Sequence, residues 1–166
     1  MSKFYDNIKE ICLNNKKVAM FIDMDGTIVE YKVYSEGEIT TNTKNKFLYA
    51  EPIMYIINEL KQINNINNID LYILTLSKST TIVNEKKEWL KKYVNFINDK
   101  NWIIINKEQG EYNSENRDII KAEKIKENIN KYNQVILLDD DHKILKNTKK
   151  LLKDKCTVYH ISSAII

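Results

Sequence analysis

Apolar residues fall into two alternating patterns along this chain. Short continuous apolar runs predict buried strands, because a strand covered on both faces of a sheet has no polar side. Between these runs, apolar residues recur every three or four positions, which predicts amphipathic helices. The predicted strands lie at 18–22, 71–74, 102–105, 135–138 and 156–159.

Strands that alternate with helices of ten to fifteen residues indicate βαβ units. We therefore predict an α/β fold: three layers, doubly wound, around a central parallel five-stranded sheet. Pro52 is expected at the first position of a helix, where its missing N–H costs nothing. The other predicted helices are indicated by Phe4 and Ile8, by 82–93, by 122–132 and by 144–152.

The composition excludes some classes of protein but does not identify the function. A chain of 166 residues suits one domain, 1–166, and only three glycines and one proline disfavour a turn-rich β fold. A net charge of +3 is too small to indicate nucleic-acid binding by itself. Cys12 and Cys156 lack metal-site spacing, and the first residues lack the apolar run of a signal peptide. We expect a reduced cytoplasmic protein.

Acids, hydroxyls and a lysine follow the predicted strands. Ligands of a doubly wound sheet bind outside the carboxyl ends of its strands, so these positions are the first candidates for a site. They are Asp23, Asp25 and Thr27 after the first strand, Thr75 and Ser77 after the second, Asp139, Asp140 and Asp141 after the fourth, and Lys121 early in the preceding helix.

These groups suit phosphoryl transfer. Clustered carboxylates attract a hard, oxygen-seeking cation, and Mg²⁺ uses one or two carboxylates plus a substrate phosphate, which fits Asp23 and Asp139. A metal-screened Asp23 can attack phosphorus and form an aspartyl-phosphate. Asp25 would protonate the leaving oxygen and later activate water. Lys121 and the hydroxyl of Thr75 would hold the transferring oxygens.

Two assignments have open alternatives. Lys107 directly follows the third strand and Lys124 lies one turn beyond Lys121, so either competes for the role of active-site lysine. Asp140 is assigned to the metal set with Asp23, Asp25 and Asp139. For Asp141, a place in the site and a place at the acidic start of a helix fit equally well.

The ordered motifs resemble those of the haloacid dehalogenase superfamily of phosphatases. Its first motif is similar to 23–27, its second to Thr75, its third to Lys121 and its fourth to 135–140. The segments 86–90, 116–121 and 136–144 are similar to the phosphatase domain of phage polynucleotide kinase-phosphatases, and the first also to small deoxynucleotidases. The resemblance implies a Mg²⁺-dependent phosphomonoesterase that acts on a nucleotide or a nucleic-acid 3′-phosphate end.

Thr27, Ser77 and Arg117 are assigned to substrate binding, with a structural role for Ser77 and a surface position for Arg117 as the alternatives. The sequence departs from the family pattern at two places. The arginine of the second motif is missing from Thr75-Leu-Ser77, and Asp141 stands where the polynucleotide enzymes carry arginine. Both departures leave the phosphatase residues in place while weakening the likeness for the nucleic-acid substrate.

The chain leaves no room for a large cap domain. The span 28–51 predicts only a short flap or loop, so the open site admits a polynucleotide end or a phosphoprotein, and the flap residues Tyr31 and Tyr34 would close over a small nucleotide.

Another small phosphometabolite is an alternative substrate. A regulatory phosphoacceptor domain is an alternative of a different class. A lysine stripe on the last helix is either a solvated face or a nucleic-acid contact (Lys143, Lys146, Lys150 and Lys153).

Overall fold

The computed structural model describes residues 2–31 and 47–165. Its helices are α1 (Lys3–Leu13), α2 (Met54–Asn64), α3 (Thr80–Tyr93), α4 (Ile120–Asn128) and α5 (His142–Leu152). Its strands are β1 (Val18–Ile22), β2 (Ile69–Ser77), β3 (Trp102–Asn106), β4 (Gln134–Asp139) and β5 (Cys156–His160). Short 3₁₀ turns lie at Asp99–Asn101, Ile129–Lys131, Lys153–Lys155 and Ile161–Ala164.

The five strands form one parallel sheet in the order β3-β2-β1-β4-β5. β1 is central, and its last residue, Ile22, pairs with Ile73 of β2 and Leu138 of β4. From β1 the chain first adds β2 and β3 on one side and then returns to add β4 and β5 on the other. The place where the direction changes, beside β1, is the topological switch point of a doubly wound sheet. Residues that follow β1, β2 and β4 are therefore brought to one edge.

The core has two layers, one on each face of the sheet. Val18, Met20 and Ile22 pack with the α1 and α2 side, whereas Ala19 and Phe21 pack with the α4 and α5 side. Successive side chains of a strand point to opposite faces, so a strand buried on both faces must be apolar throughout. Every residue of β1 is accordingly buried.

The predicted α/β architecture is confirmed, but Pro52 does not open α2. Glu30 N–H donates to the Glu51 carbonyl at 2.9 Å and Ile53 N–H donates to the Ile28 carbonyl at 2.8 Å. These bonds hold the chain around Pro52 extended beside 28–30, so the helix begins two residues later, at Met54. The predicted helix 122–132 is likewise shorter, because α4 ends at Asn128 and a 3₁₀ turn follows.

No inserted cap domain is present in the described parts of the chain. Between β2 and β3 lie only α3 and a 3₁₀ turn, and between β3 and β4 lie a loop, α4 and a second 3₁₀ turn. Most of the predicted flap, including Tyr34, lies outside the described residues. Across residues 2–31 and 47–165, every helix is too short or too polar to cross a membrane.

Candidate active site

A cavity of about 600 Å³ opens at the carboxyl ends of β1, β2 and β4. Acidic side chains, three lysines and several aromatic rings line it. The predicted site residues found in this lining are Asp23, Asp25, Ser77, Arg117, Lys121, Asp139 and Asp140. The sheet thus assembles residues that lie more than a hundred positions apart in sequence.

Asp23, Asp139 and Asp140 form an acidic trio. One carboxylate oxygen from each lies within 4.8 Å of those of the other two. Burial raises the pKa of Asp139, with Lys121 opposing and Asp23 reinforcing the shift. Burial, a hydrogen bond to Asp23 and the nearby negative charges raise the pKa of Asp140 to about 8. An all-oxygen donor set whose ionised form is costly without a cation fits a hard divalent metal.

Lys121 lies between two members of the trio. Its ammonium donates to Asp23 Oδ1 and to Asp139 Oδ2, both at 2.7 Å. Burial alone would lower the pKa of Lys121, but the two carboxylates raise it above the usual lysine value. By contrast, Lys107 is exposed and Lys124 pairs with Glu127 at 3.6 Å. Of the three candidate lysines, the fold brings Lys121 to the acids.

Asp25 lines the cavity, but its carboxylate is not part of the trio. Asp25 Oδ2 accepts a hydrogen bond of 2.9 Å from Lys86, a residue that sequence analysis included in the helix 82–93 and the segment 86–90 without a role in the site. The Lys86 side chain is 2% exposed. The sequence contained one sign of this role, a lysine at helical spacing with the apolar Val83 and Trp89. A buried ammonium requires anionic or polar partners.

The predicted hydroxyls have different surroundings. Thr75 Oγ1 accepts from Lys86 at 2.8 Å and lies behind the cavity lining. Thr27 is fully buried and donates to Asp23 Oδ2 at 3.1 Å, so it orients the acid. Ser77 is 2% exposed and lines the cavity, and its Oγ has no hydrogen-bond partner among the described residues. Ser77 therefore offers a buried hydroxyl to a ligand.

Gly26 makes the turn between Asp25 and Thr27 possible. Its φ of 76° lies in the left-handed region, and an added Cβ would meet the carboxylate of Asp140 and the ring of Tyr31. Burial and the neighbouring carboxylates raise the pKa of Tyr31 to about 12, so its phenol is neutral near pH 7. The Tyr31 ring is thus an uncharged surface beside the acids.

Asp141 and Arg117 form the rim next to α5. The Asp141 carboxylate caps α5 by accepting from the backbone N–H groups of Lys143 and Ile144 at 2.9 and 3.3 Å. Arg117 pairs with Asp141 at 3.2 Å and with Asp118 at 2.8 Å. Asp141 therefore serves the helix start, and the half-exposed guanidinium of Arg117 faces the cavity with two acidic partners.

A solved structure shares this fold. Class C acid phosphatase from Bacillus anthracis, solved with tungstate bound, superposes with a TM-score of 0.57 over 96% of this chain and 76% of that chain, at 14% identity. The chain has the fold of that phosphatase. The three-layer, doubly wound α/β fold expected from the sequence is confirmed.

Other comparisons add little to the fold. The HAD domain of the effector protein Lem4 from Legionella pneumophila gives a TM-score of 0.41, with 13% identity and 87% of each chain covered. That score is too low to establish a common fold. The sequence matches no protein-family model and no curated protein.

Proposed function

We propose that this chain is a Mg²⁺-dependent phosphomonoesterase that works through an aspartyl-phosphate on Asp23. The observation that carries the proposal is the pairing of Asp23 with Lys121 beside Asp139 and Asp140, in the same cavity as a second acid, Asp25. A nucleophilic carboxylate, a fixed cation and a separate proton carrier are the groups that phosphate-ester hydrolysis by covalent catalysis requires.

The acidic trio is the proposed holder of the metal. Asp23, Asp139 and Asp140 offer only oxygen ligands, which Mg²⁺ prefers. A bound Mg²⁺ would neutralise the carboxylates and the substrate phosphate, so that one anion can approach another. Asp25, first assigned to the metal set as well, has its carboxylate on Lys86 and is assigned only to proton transfer here.

The reaction is proposed in two steps. In the first, Asp23 attacks phosphorus, the bond to the ester oxygen breaks, and Asp25 gives that oxygen a proton. In the second, the Asp25 carboxylate takes a proton from water while the water oxygen attacks phosphorus, which frees inorganic phosphate and restores Asp23. Asp25 ends each cycle with the proton it began with.

The transferring oxygens need donors that are already in place. Lys121 is held rigidly by two bonds of 2.7 Å, so little reorganisation is needed for it to meet negative charge in the transition state. Ser77 supplies a cavity hydroxyl that no described residue hydrogen-bonds. Arg117, at the rim, would meet a second anionic group of the substrate. Thr75, first assigned to these oxygens, bonds Lys86 instead.

We propose a nucleotide or a nucleic-acid 3′-phosphate end as the substrate. The cavity wall includes the rings of Tyr31, Phe47 and Tyr112, which suit a flat base. The exposed lysine stripe begins on α5 directly after the acidic trio, and Lys143, Lys146 and Lys150 extend for about 10 Å along the helix at 1.5 Å per residue, which suits a longer polyanion. Lys153, predicted on the same helix, lies beyond its end in the 3₁₀ turn Lys153–Lys155.

The proposal is tested by hydrolysis of a simple aryl phosphate. We expect turnover with Mg²⁺, none with excess chelator, and none in Asp23→Asn, whose amide cannot attack phosphorus. Asp154→Asn, an exposed carboxylate change, is the matched control. Metal-independent turnover would refute the mechanism. Uptake of one phosphoryl group without release would favour a phosphoacceptor domain.

The substrate is tested by kcat/KM for a 3′-phosphorylated oligonucleotide and the matching 3′-mononucleotide at two salt concentrations. If the lysine stripe binds the strand, the oligonucleotide is preferred and its advantage falls as salt rises, through counterion release. Lys146→Gln should reduce that advantage, whereas Lys126→Gln on the exposed face of α4 should not. A preference for a sugar phosphate or a phosphopeptide would refute the nucleotide assignment.

A further inference from the structure

Lys86 is a second buried lysine beside the cavity, and the proposed reaction does not yet use it. Its ammonium donates to Asp25 Oδ2 at 2.9 Å, to Thr75 Oγ1 at 2.8 Å and to the Leu76 carbonyl at 2.8 Å. α3 carries Lys86 to this position, so it ties the turn after β1 to the end of β2. Burial lowers the pKa of Lys86, while the carboxylate of Asp25 opposes that shift.

The three contacts use every proton of the ammonium. A lysine ammonium has three donors and no acceptor, so none remains for a substrate oxygen in this arrangement. Thr75 Oγ1 must accept from Lys86, since the ammonium can only donate. Although Lys86 lies in the cavity wall, its contacts therefore direct it to Asp25 and to β2 rather than to a phosphate.

The two buried lysines separate the two acids of the first motif. Lys121 pairs with Asp23 inside the acidic trio, and Lys86 pairs with Asp25 outside it. The Asp25 side chain is 38% exposed, and among the described residues only Lys86 forms a salt bridge with it. Without Lys86, the Asp25 carboxylate would be free to rotate toward a cation held by the trio.

We propose that Lys86 is a positioning residue that holds the Asp25 carboxylate in place to take a proton from water when the aspartyl-phosphate is hydrolysed. The inference rests on the proposed phosphatase function. Its chemistry is that of the second step: a water O–H bond breaks, its proton goes to Asp25, and the water oxygen replaces Asp23 on phosphorus.

The experiment is steady-state and burst kinetics on an aryl phosphate, whose stable leaving group needs no acid in the first step. Slowing only the second step lowers kcat and KM together and leaves kcat/KM unchanged. Lys86→Met should therefore lower both constants by about ten- to a hundred-fold, less than the roughly 10²–10⁴-fold of a general base itself because Asp25 remains, and show a burst approaching one aryl alcohol per enzyme. The exposed neighbour provides the matched control, Lys87→Met, which should resemble wild type.

A double-mutant cycle connects Lys86 to Asp25. Asp25→Asn should also show the burst, and adding Lys86→Met to it should slow the second step no further, because residues that act as a unit are not additive. Lys86→Gln, which keeps an amide donor, should lie between wild type and Lys86→Met. Thermal unfolding of each variant reports whether the fold survives.

The outcomes separate the inference from the function. No turnover by wild type refutes both. If wild type is active, two results would overturn only the role of Lys86. One is a fall in kcat/KM of Lys86→Met as large as its fall in kcat, without a burst. The other is full additivity of Lys86→Met with Asp25→Asn. Failure of both Lys86→Met and Lys86→Gln to fold would make Lys86 a purely structural residue and would also overturn the proposal.

Discussion

Replacing Asp140 with asparagine should stabilise the metal-free protein at alkaline pH. In the folded chain the pKa of Asp140 is raised from 3.8 to about 8 by burial, by its hydrogen bond to Asp23 and by the charges of Asp23 and Asp139. The folded state therefore keeps a proton that the unfolded state has already released. The free energy of unfolding therefore falls as pH rises from about 4 to about 8, because the folded chain binds more protons than the unfolded chain in that range.

The size of the effect follows from the shift. About four pKa units at about 1.4 kcal/mol each give a ceiling of about 6 kcal/mol. Asp140 is only partly buried, and solvent screens its interactions, so we expect about 1–3 kcal/mol. For a chain of this length, that corresponds to a rise in Tm of about 3–10 °C. The amide of the Asp140→Asn variant does not titrate, so the gain should appear at pH 8.5 and be small at pH 5.

The assay is thermal unfolding of wild type and Asp140→Asn at both pH values, with chelator and then with Mg²⁺. Wild type should regain stability with Mg²⁺, because a ligand that binds only the folded state stabilises it, and the variant should gain much less. Asp154→Asn, an exposed carboxylate change, should follow wild type throughout. Parallel pH profiles for wild type and Asp140→Asn, or a lower Tm for the variant at pH 8.5, would contradict the reasoning.

Three further changes test the remaining site residues. Lys121→Ala should lower kcat by about 10²–10³ through loss of a fixed transition-state cation, whereas Lys107→Ala should leave it unchanged; the reverse order would move the active-site lysine. Ser77→Ala should reduce kcat/KM by about ten-fold if its hydroxyl donates to a phosphoryl oxygen, since one such bond contributes about 1–1.5 kcal/mol, and unchanged kinetics would remove it from the site. Gly26→Ala should lose activity and Mg²⁺-dependent stabilisation together, because φ is 76° and the new methyl meets Asp140; a wild-type Tm shift with Mg²⁺ would show that the turn tolerates it.

The sheet and the acids at its edge were predictable from the sequence. Periodicity located all five strands to within a few residues, because a strand buried on both faces must be continuously apolar, as β1 is. The strand-end rule then selected Asp23 and Asp139 before any contact was known. β1 matches its apolar run, whereas β2 to β5 are longer than theirs, since polar end residues continue the pairing, as Ser77 does with Asn106.

Long-range partners were not predictable in the same way. Lys86 lies 61 positions from Asp25, and a single lysine on an apolar helix face does not say which acid it meets. Pro52 follows the helix-start rule locally, but backbone bonds between 28–30 and 51–53 hold it in an extended segment. Tertiary contacts decided both cases, and local sequence patterns contain no information about them.

Trapping of the phosphoenzyme is the most direct test of the central claim that Asp23 is the nucleophile. Asp25→Asn, in which the second step should be slow, would be mixed with an aryl phosphate and Mg²⁺, quenched in acid within one turnover, and analysed by intact mass and peptide mapping. The account predicts one added phosphoryl group, located on Asp23 and absent from the Asp23→Asn/Asp25→Asn double variant. A phosphoryl group on another residue, or wild-type turnover in Asp23→Asn, would contradict it.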